Sequence, residues 1–193
     1  MNKTILLVAA LAVLLVSSCS QKKPAAARIP VSPEAIALQL RTAGLDVPTS
    51  DVSSVDFSLE ALNGKTVSLS SYKGKVVLLS FWATWCGPCK QEMPAMEKLY
   101  QKLKGKGLEV VAVDMMEDAA TVSAFVKTNG YTFPVLLDTT GQVGGNGMYA
   151  AHEIPTNYIV DKAGKIVGRK IGIDGPDWTS DERISAFETL LAQ

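Results

Sequence analysis

Trp82-Ala-Thr-Trp-Cys86-Gly-Pro-Cys89-Lys-Gln-Glu92 sets two cysteines, two residues apart, where one backbone pattern gives way to another. Before it, Lys75-Val-Val-Leu-Leu-Ser-Phe-Trp82 has the length and β-branched, aromatic composition of a buried strand. After it, Met93, Met96, Leu99, Tyr100 and Leu103 recur at helical spacing. The cysteines therefore fall at a strand-to-helix turn. A cysteine there faces unsatisfied backbone N–H groups and the positive end of the helix dipole, both of which favour thiolate over thiol. That makes Cys86 a candidate nucleophile near neutral pH.

The chain has 193 residues, 47% of them hydrophobic and 20% charged, with a formal net charge of zero. This suits one globular domain plus extra segments, and no charge bias points to nucleic acid. Lys3 is followed by the apolar run Ile5 to Val16, too short to span a bilayer comfortably but suited to the core of a secretory signal. Its end, Leu15-Val-Ser-Ser-Cys19, resembles a bacterial lipobox, so residues 1–18 read as a lipoprotein signal peptide and Cys19 as the lipidated residue. A plain secretory signal or an uncleaved anchor is the alternative. More than one acyl chain would hold the protein stably at a membrane. With Cys19 lipidated, Cys86 and Cys89 remain as a pair in an oxidising compartment, either a redox pair or half of a metal site.

Residues 19–31 read as the lipidated cysteine and a flexible tether, and residues 32–53 as a helix and linker. Ser32-Pro33-Glu34 supplies the helix start and Gly44 its end, with a narrow apolar side expected to pack on the domain. Residues 54–193 form the main domain. Val55 to Leu59 and Thr66 to Leu69 flank Asn63-Gly64 as a β-hairpin. The strand Val76 to Phe81 leads into a helix from Cys86 to about Lys104, where Pro94 is expected to introduce a kink. A strand over Leu108 to Asp114, a helix over Ala119 to Asn129 and an extended segment Phe133 to Asp138 follow. Ile154 to Asp161 and Ile166 to Ile173 are further strands, and Thr179 or Ser180 caps a C-terminal helix. The β-α-β-α order implies a parallel pair.

Phe81-Trp-Ala-Thr-Trp-Cys-Gly-Pro-Cys89 resembles the thioredoxin superfamily active site, and Ile154-Pro155-Thr156 resembles its cis-proline loop. Phe57-Ser-Leu-Glu-Ala-Leu-Asn-Gly-Lys-Thr-Val-Ser-Leu69, Cys89-Lys-Gln-Glu-Met-Pro94 and Phe133-Pro-Val-Leu-Leu-Asp138 look like the TlpA/ResA branch of membrane-tethered thiol-disulfide oxidoreductases. The resemblance implies an α/β thioredoxin-like fold, a central mixed sheet flanked by helices, with an added N-terminal β-hairpin. It implies Cys86 as nucleophile, Cys89 as resolving thiol and Glu92 as proton acceptor. Trp85, Gly87, Pro88, Ile154, Pro155 and Thr156 would bind substrate. No cofactor beyond a Cys86–Cys89 disulfide and no metal are expected. The implied partners are a disulfide-containing protein, such as apocytochrome c in cytochrome c maturation, and a membrane thiol donor. The protein is expected to be a monomer, lipid-anchored and facing the periplasm or cell exterior.

Two residue types invite a blander reading. Glu92, three residues after Cys89, could be a solvated helix glutamate, and His152, the lone histidine, is left out of the mechanism. Val143-Gly-Gly-Asn-Gly-Met148 departs from the branch, which carries a continuous helix there. Each glycine weakens a helix by about 1 kcal/mol relative to alanine, so a loop is expected. A metal-binding Cys-x-x-Cys module and a thiol peroxidase are the competing functions; Pro88 and the lack of a nearby third ligand in sequence argue against the first.

Overall fold

The computed structural model describes residues 31–145 and 147–193; the expected signal peptide, Cys19 and most of the tether lie outside them. The element order is α1 (Pro33–Thr42), β1 (Ser58–Ala61), β2 (Thr66–Ser68), β3 (Val76–Trp82), α2 (Gly87–Leu103), β4 (Leu108–Met115), α3 (Ala119–Asn129), β5 (Val135–Asp138), β6 (Thr156–Val160), β7 (Ile166–Ile171) and α4 (Asp181–Leu191). The seven strands form one sheet in the order β2-β1-β5-β4-β3-β6-β7. β3 pairs parallel with β4, and β4 with β5, while β6, β7 and the β1–β2 hairpin join antiparallel.

β3 and β4 are buried along their whole length because they are central strands covered on both faces, which is why both read as continuous apolar runs. Along β3 the side chains alternate between two clusters. Val76, Leu78 and Trp82 meet Met93, Met96, Leu99 and Leu103 of α2, Val122 of α3, Phe187 and Leu190 of α4, and Leu40 of α1. Val77, Leu79 and Phe81 meet Phe57, Leu69, Val143 and Tyr149 on the other face. Each fully buried side chain of this size contributes roughly 1.5–3 kcal/mol. α1 packs as expected: Ser32 caps it by accepting from the Ala35 N–H at 3.2 Å, and Leu40 and Ala43 enter the helical core. α2 runs through Pro94 as one α-helix.

Several strand ends differ from the sequence expectation: β5 begins at Val135 rather than Phe133, β6 covers Thr156–Val160 rather than Ile154–Asp161, and two further differences have a visible cause. The first hairpin strand is Ser58–Ala61 rather than Val55–Leu59, because the Ala61 N–H donates to Lys65 and the Gly64 N–H to Ala61, which fixes the turn and register. β7 stops at Ile171 because Gly172 has φ +68° and its N–H turns aside to the Pro155 carbonyl at 2.8 Å.

The described residues of the glycine-rich segment form turns and bends, as expected, and their packing explains the residue choice. The Asp138 carboxylate accepts from the Val143 and Gly144 N–H groups at 2.9 and 2.8 Å. A Cβ on Gly144 would collide with Met115 Sδ and lie 2.7 Å from Phe81 Cδ1, and one on Gly147 would collide with the Gln142 carbonyl. Gly144→Ala is therefore expected to lower unfolding stability by about 2 kcal/mol in urea titration through overpacking; an unchanged midpoint would show that this loop does not lock onto the sheet.

Candidate active site

Cys86 closes a turn that begins where β3 ends, its N–H donating to the Ala83 carbonyl at 3.2 Å. Its sulfur then caps α2, accepting from the Cys89 N–H at 3.2 Å. A sulfur occupies the position that serine or aspartate usually fills, so one orphan amide of the helix start points at the reacting atom. Pro88, in the first turn, has no N–H to leave unsatisfied there. Cys86 and Cys89 are joined as a disulfide with Cα atoms 5.3 Å apart. Cys86 is 5% exposed and Cys89 0%, so only the first sulfur has a route to a partner. Trp85 is 66% exposed beside it, and nothing lies within 4 Å of a Cβ built on Gly87, which leaves the approach open.

The second loop meets the first. The Ile154–Pro155 peptide is cis, and the Ile154 carbonyl oxygen lies 3.6 Å from Cys86 Sγ, a contact rather than a hydrogen bond while that sulfur is in the disulfide. Thr156 begins β6 opposite Phe81 of β3, and its hydroxyl donates to the Glu153 carbonyl at 2.5 Å. Sequence residues 68 apart are thus joined through a two-strand register. His152 is exposed on the loop before them.

Glu92 is buried, not solvated, at 8% exposure. One carboxylate oxygen accepts from Asn157 Nδ2 at 3.0 Å and the other from Trp178 Nε1 at 3.1 Å, with Lys170 Nζ 3.7 Å away. Burial pushes the Glu92 carboxyl above its usual range, and Asn157, Lys170, Trp178 and Arg183 only partly oppose this. Burial also lowers Lys170, which donates to the Gly172 carbonyl as well. Arg183 lies over the Trp178 ring, 4.3 Å from its centroid, and donates from Nε to the Ala43 carbonyl at 3.0 Å. A cleft of about 190 Å³ opens beside this cluster, lined by Gln91, Glu92, Lys170 and Asp177 among others.

Asn157, Lys170, Trp178 and Arg183 were not singled out in the sequence. Lys170 left one signal, a charged residue in step with Gly168 on the inward face of β7, where an apolar side chain is the rule. Trp82, by contrast, packs in the core against Phe125 with ring centroids 5.4 Å apart. Behind it, Asp114 pairs in register with Trp82, and burial first, then the adjacent Glu117, holds its carboxyl up at about 8.

Residues 52–169 match the AhpC/TSA family. The chain belongs to the AhpC/TSA family. Thiol-disulfide oxidoreductase ResA of Bacillus cereus is 43% identical over 117 residues, which are 61% of this chain and 66% of that protein. The matched stretch thus spans just under two thirds of that relative. A solved structure described as thiol:disulfide interchange protein DsbE from Chlorobium tepidum is 32% identical, covers 77% of this chain and 97% of its own, and has a TM-score of 0.63. The thioredoxin domain of a thiol-disulfide oxidoreductase from Bacteroides vulgatus, at 23% identity, shares the fold with a TM-score of 0.64, over 75% of this chain and 99% of its own. The fold is thioredoxin-like. The family match contains both cysteines, Glu92, Asn157 and the cis-proline loop, whereas Lys170, Trp178 and Arg183 lie beyond it. Among the described residues no helix is long and apolar enough to cross a membrane, and no three Cys, His, Asp or Glu side chains group as metal ligands.

Because the folded state holds a proton on Asp114 that the unfolded chain releases above its ordinary value of 3.8, the unfolded state binds fewer protons between there and about 8. Stability present at acid pH is therefore lost as pH rises through that window. Glu92 adds to the same slope. Asp114→Asn is expected to flatten the pH dependence of the urea midpoint in part; an unaltered slope would mean Asp114 ionises normally.

Proposed function

We propose that this chain is a thiol-disulfide oxidoreductase that reduces disulfides of protein substrates through Cys86 and Cys89. The observation that carries the reading is the Cys86–Cys89 disulfide at the start of α2, with the cis Ile154–Pro155 peptide against the outer sulfur.

In the reduced state the Cys86 thiolate, facing the Cys89 N–H and the end of the helix dipole, attacks a substrate disulfide. A Cys86–substrate bond forms, the substrate S–S bond breaks, and one substrate thiolate leaves and takes up a proton. Cys89 then gives its proton to the Glu92 carboxylate and attacks Cys86 Sγ. The Cys86–substrate bond breaks, the second substrate sulfur departs as a thiolate and takes up the proton that Glu92 received, and the disulfide seen here is regenerated. Substrate has gained two electrons and two protons; an external thiol donor must return the electrons. A buried carboxylate raised above its ordinary range is suited to that exchange, since its proton affinity moves towards that of a thiol. Trp85 and the Ile154 backbone flank the attacking sulfur, so an extended substrate segment can add alongside the loop as a strand.

The setting belongs to the same proposal. The likeness to a ResA protein and the signal-like sequence ending at Cys19 support a lipid-anchored protein outside the cytoplasm, recycled by a membrane thiol donor. Apocytochrome c, whose haem-binding cysteines must be reduced, is the client suggested by the TlpA/ResA resemblance.

Cys86→Ser is expected to abolish insulin-type disulfide reduction, and Cys89→Ser to accumulate mixed disulfides identifiable by mass spectrometry. Absence of any adduct, or rapid peroxide consumption without a disulfide substrate, would count against the assignment. Glu92→Gln is expected to slow turnover at neutral pH by about a hundredfold and move the pH–rate profile upward, as loss of a proton acceptor requires; an unchanged profile would remove Glu92 from the reaction.

A further inference from the structure

The turn that carries Cys86 is tied to a strand that has no part in the chemistry above. Ala83 to Cys86 forms a turn with Thr84 and Trp85 at its centre. Thr84 gives both of its donors to one carboxylate: its N–H reaches Glu117 Oε2 at 2.5 Å and its hydroxyl reaches Glu117 Oε1 at 2.6 Å. Glu117 comes from just beyond β4 and follows Met116, which adopts φ 64°, a left-handed conformation uncommon for a side chain of this kind. That bend is anchored from both sides. The Met116 N–H donates to the Asp138 carbonyl at 3.0 Å, and the Glu117 N–H donates to Asp114 Oδ1 at 3.3 Å.

We propose that Glu117 is a positioning residue for Cys86, fixing the active-site turn through Thr84; this rests on the disulfide-reductase reading. Cys86 Sγ must meet two constraints together, the Cys89 N–H at 3.2 Å and the Ile154 carbonyl at 3.6 Å. The first belongs to α2 and the second to the cis-proline loop. A rotation of the turn that carries the sulfur would lose one or both. Hydrogen bonds to a carboxylate are roughly twice as strong as neutral ones, and a two-oxygen grip fixes orientation as well as distance. The same grip sets where Trp85, the next residue, presents its ring. Glu117 touches neither sulfur, so its influence passes entirely through Thr84.

The test uses the reduced full chain as wild type, Glu117→Ala, Glu117→Gln and Thr84→Val. Three quantities are measured: kcat/KM for insulin-type disulfide reduction, the pH profile of iodoacetamide modification of Cys86, and the urea midpoint. Glu117→Ala is expected to lower kcat/KM about tenfold or more, the scale on which displaced reacting groups lose rate, and to move the alkylation profile to higher pH. Glu117→Gln, which keeps an acceptor for the Thr84 N–H, should restore most of both. Thr84→Val, which keeps the N–H bond and loses the hydroxyl, should fall between. Unchanged kcat/KM and alkylation profile in Glu117→Ala overturn the inference even if the urea midpoint drops, since that is all a structural brace would move. If Glu117→Ala does not fold, wild-type kcat/KM and alkylation profile in Thr84→Val overturn it. A wild type that alkylates normally but reduces no disulfide overturns the functional reading, and the alkylation profiles still decide the role of Glu117.

Discussion

The Cys89 N–H pointing at Cys86 Sγ is the contact on which the rest of the site depends. It exists because β3, paired on both sides and buried throughout, ends at Trp82 in one fixed place, and α2 starts at Gly87, directly after the turn. The sulfur is therefore presented by the most constrained strand of the sheet at a helix end whose amides lack other partners. Sites built on rigid elements hold reacting atoms more closely than sites built on loops. The loops around it are secured to that frame: Gly172 to Pro155, Asp138 to the Val143–Gly144 turn, and Glu117 to Thr84.

Burial divides the labour between the cysteines. Cys86 keeps 5% exposure next to the exposed Trp85 and Cys89 is sealed at 0%, so a partner meets one sulfur only. In the proposed reaction the sealed thiol passes its proton to an equally enclosed group, and Glu92 on the same helix is held by Asn157 and Trp178 with Lys170 close by. An unpaired buried carboxylate would be strongly destabilising; this one is balanced by two donors and a buried ammonium while burial still raises its proton affinity. Arg183, packed on Trp178 and bonded to the end of α1, ties the N-terminal and C-terminal helices into that cluster.

Much of this was legible in the sequence because it is local or periodic. The strand-to-helix switch located Cys86, the Ser32 cap and the Thr179-Ser180 pair located α1 and α4, with Ser180 the cap in the structure, and the Asn63-Gly64 turn located the hairpin. Ile154-Pro155-Thr156 could be placed beside Cys86 only through its resemblance to a known loop, because nothing local brings residues 154 and 86 together. The environment of Glu92 was legible only in the out-of-pattern charge at Lys170. Asn157, Lys170, Trp178 and Arg183 converge through the β3–β6–β7 register and the packing of α4, and such pairings leave no spacing in the chain. Glu117 was hidden for the same reason, reaching Thr84 across the parallel β3–β4 pair.

In the proposed mechanism the reduced pair is asymmetric, with Cys86 the attacking thiolate and Cys89 the protected resolver. Limiting alkylation of the reduced full chain at neutral pH, followed by peptide mapping, reads this directly. Cys86 is expected to be labelled about tenfold faster or more, because only it keeps any exposure and is faced by the helix amide. Equal labelling, or faster labelling of Cys89, would contradict it.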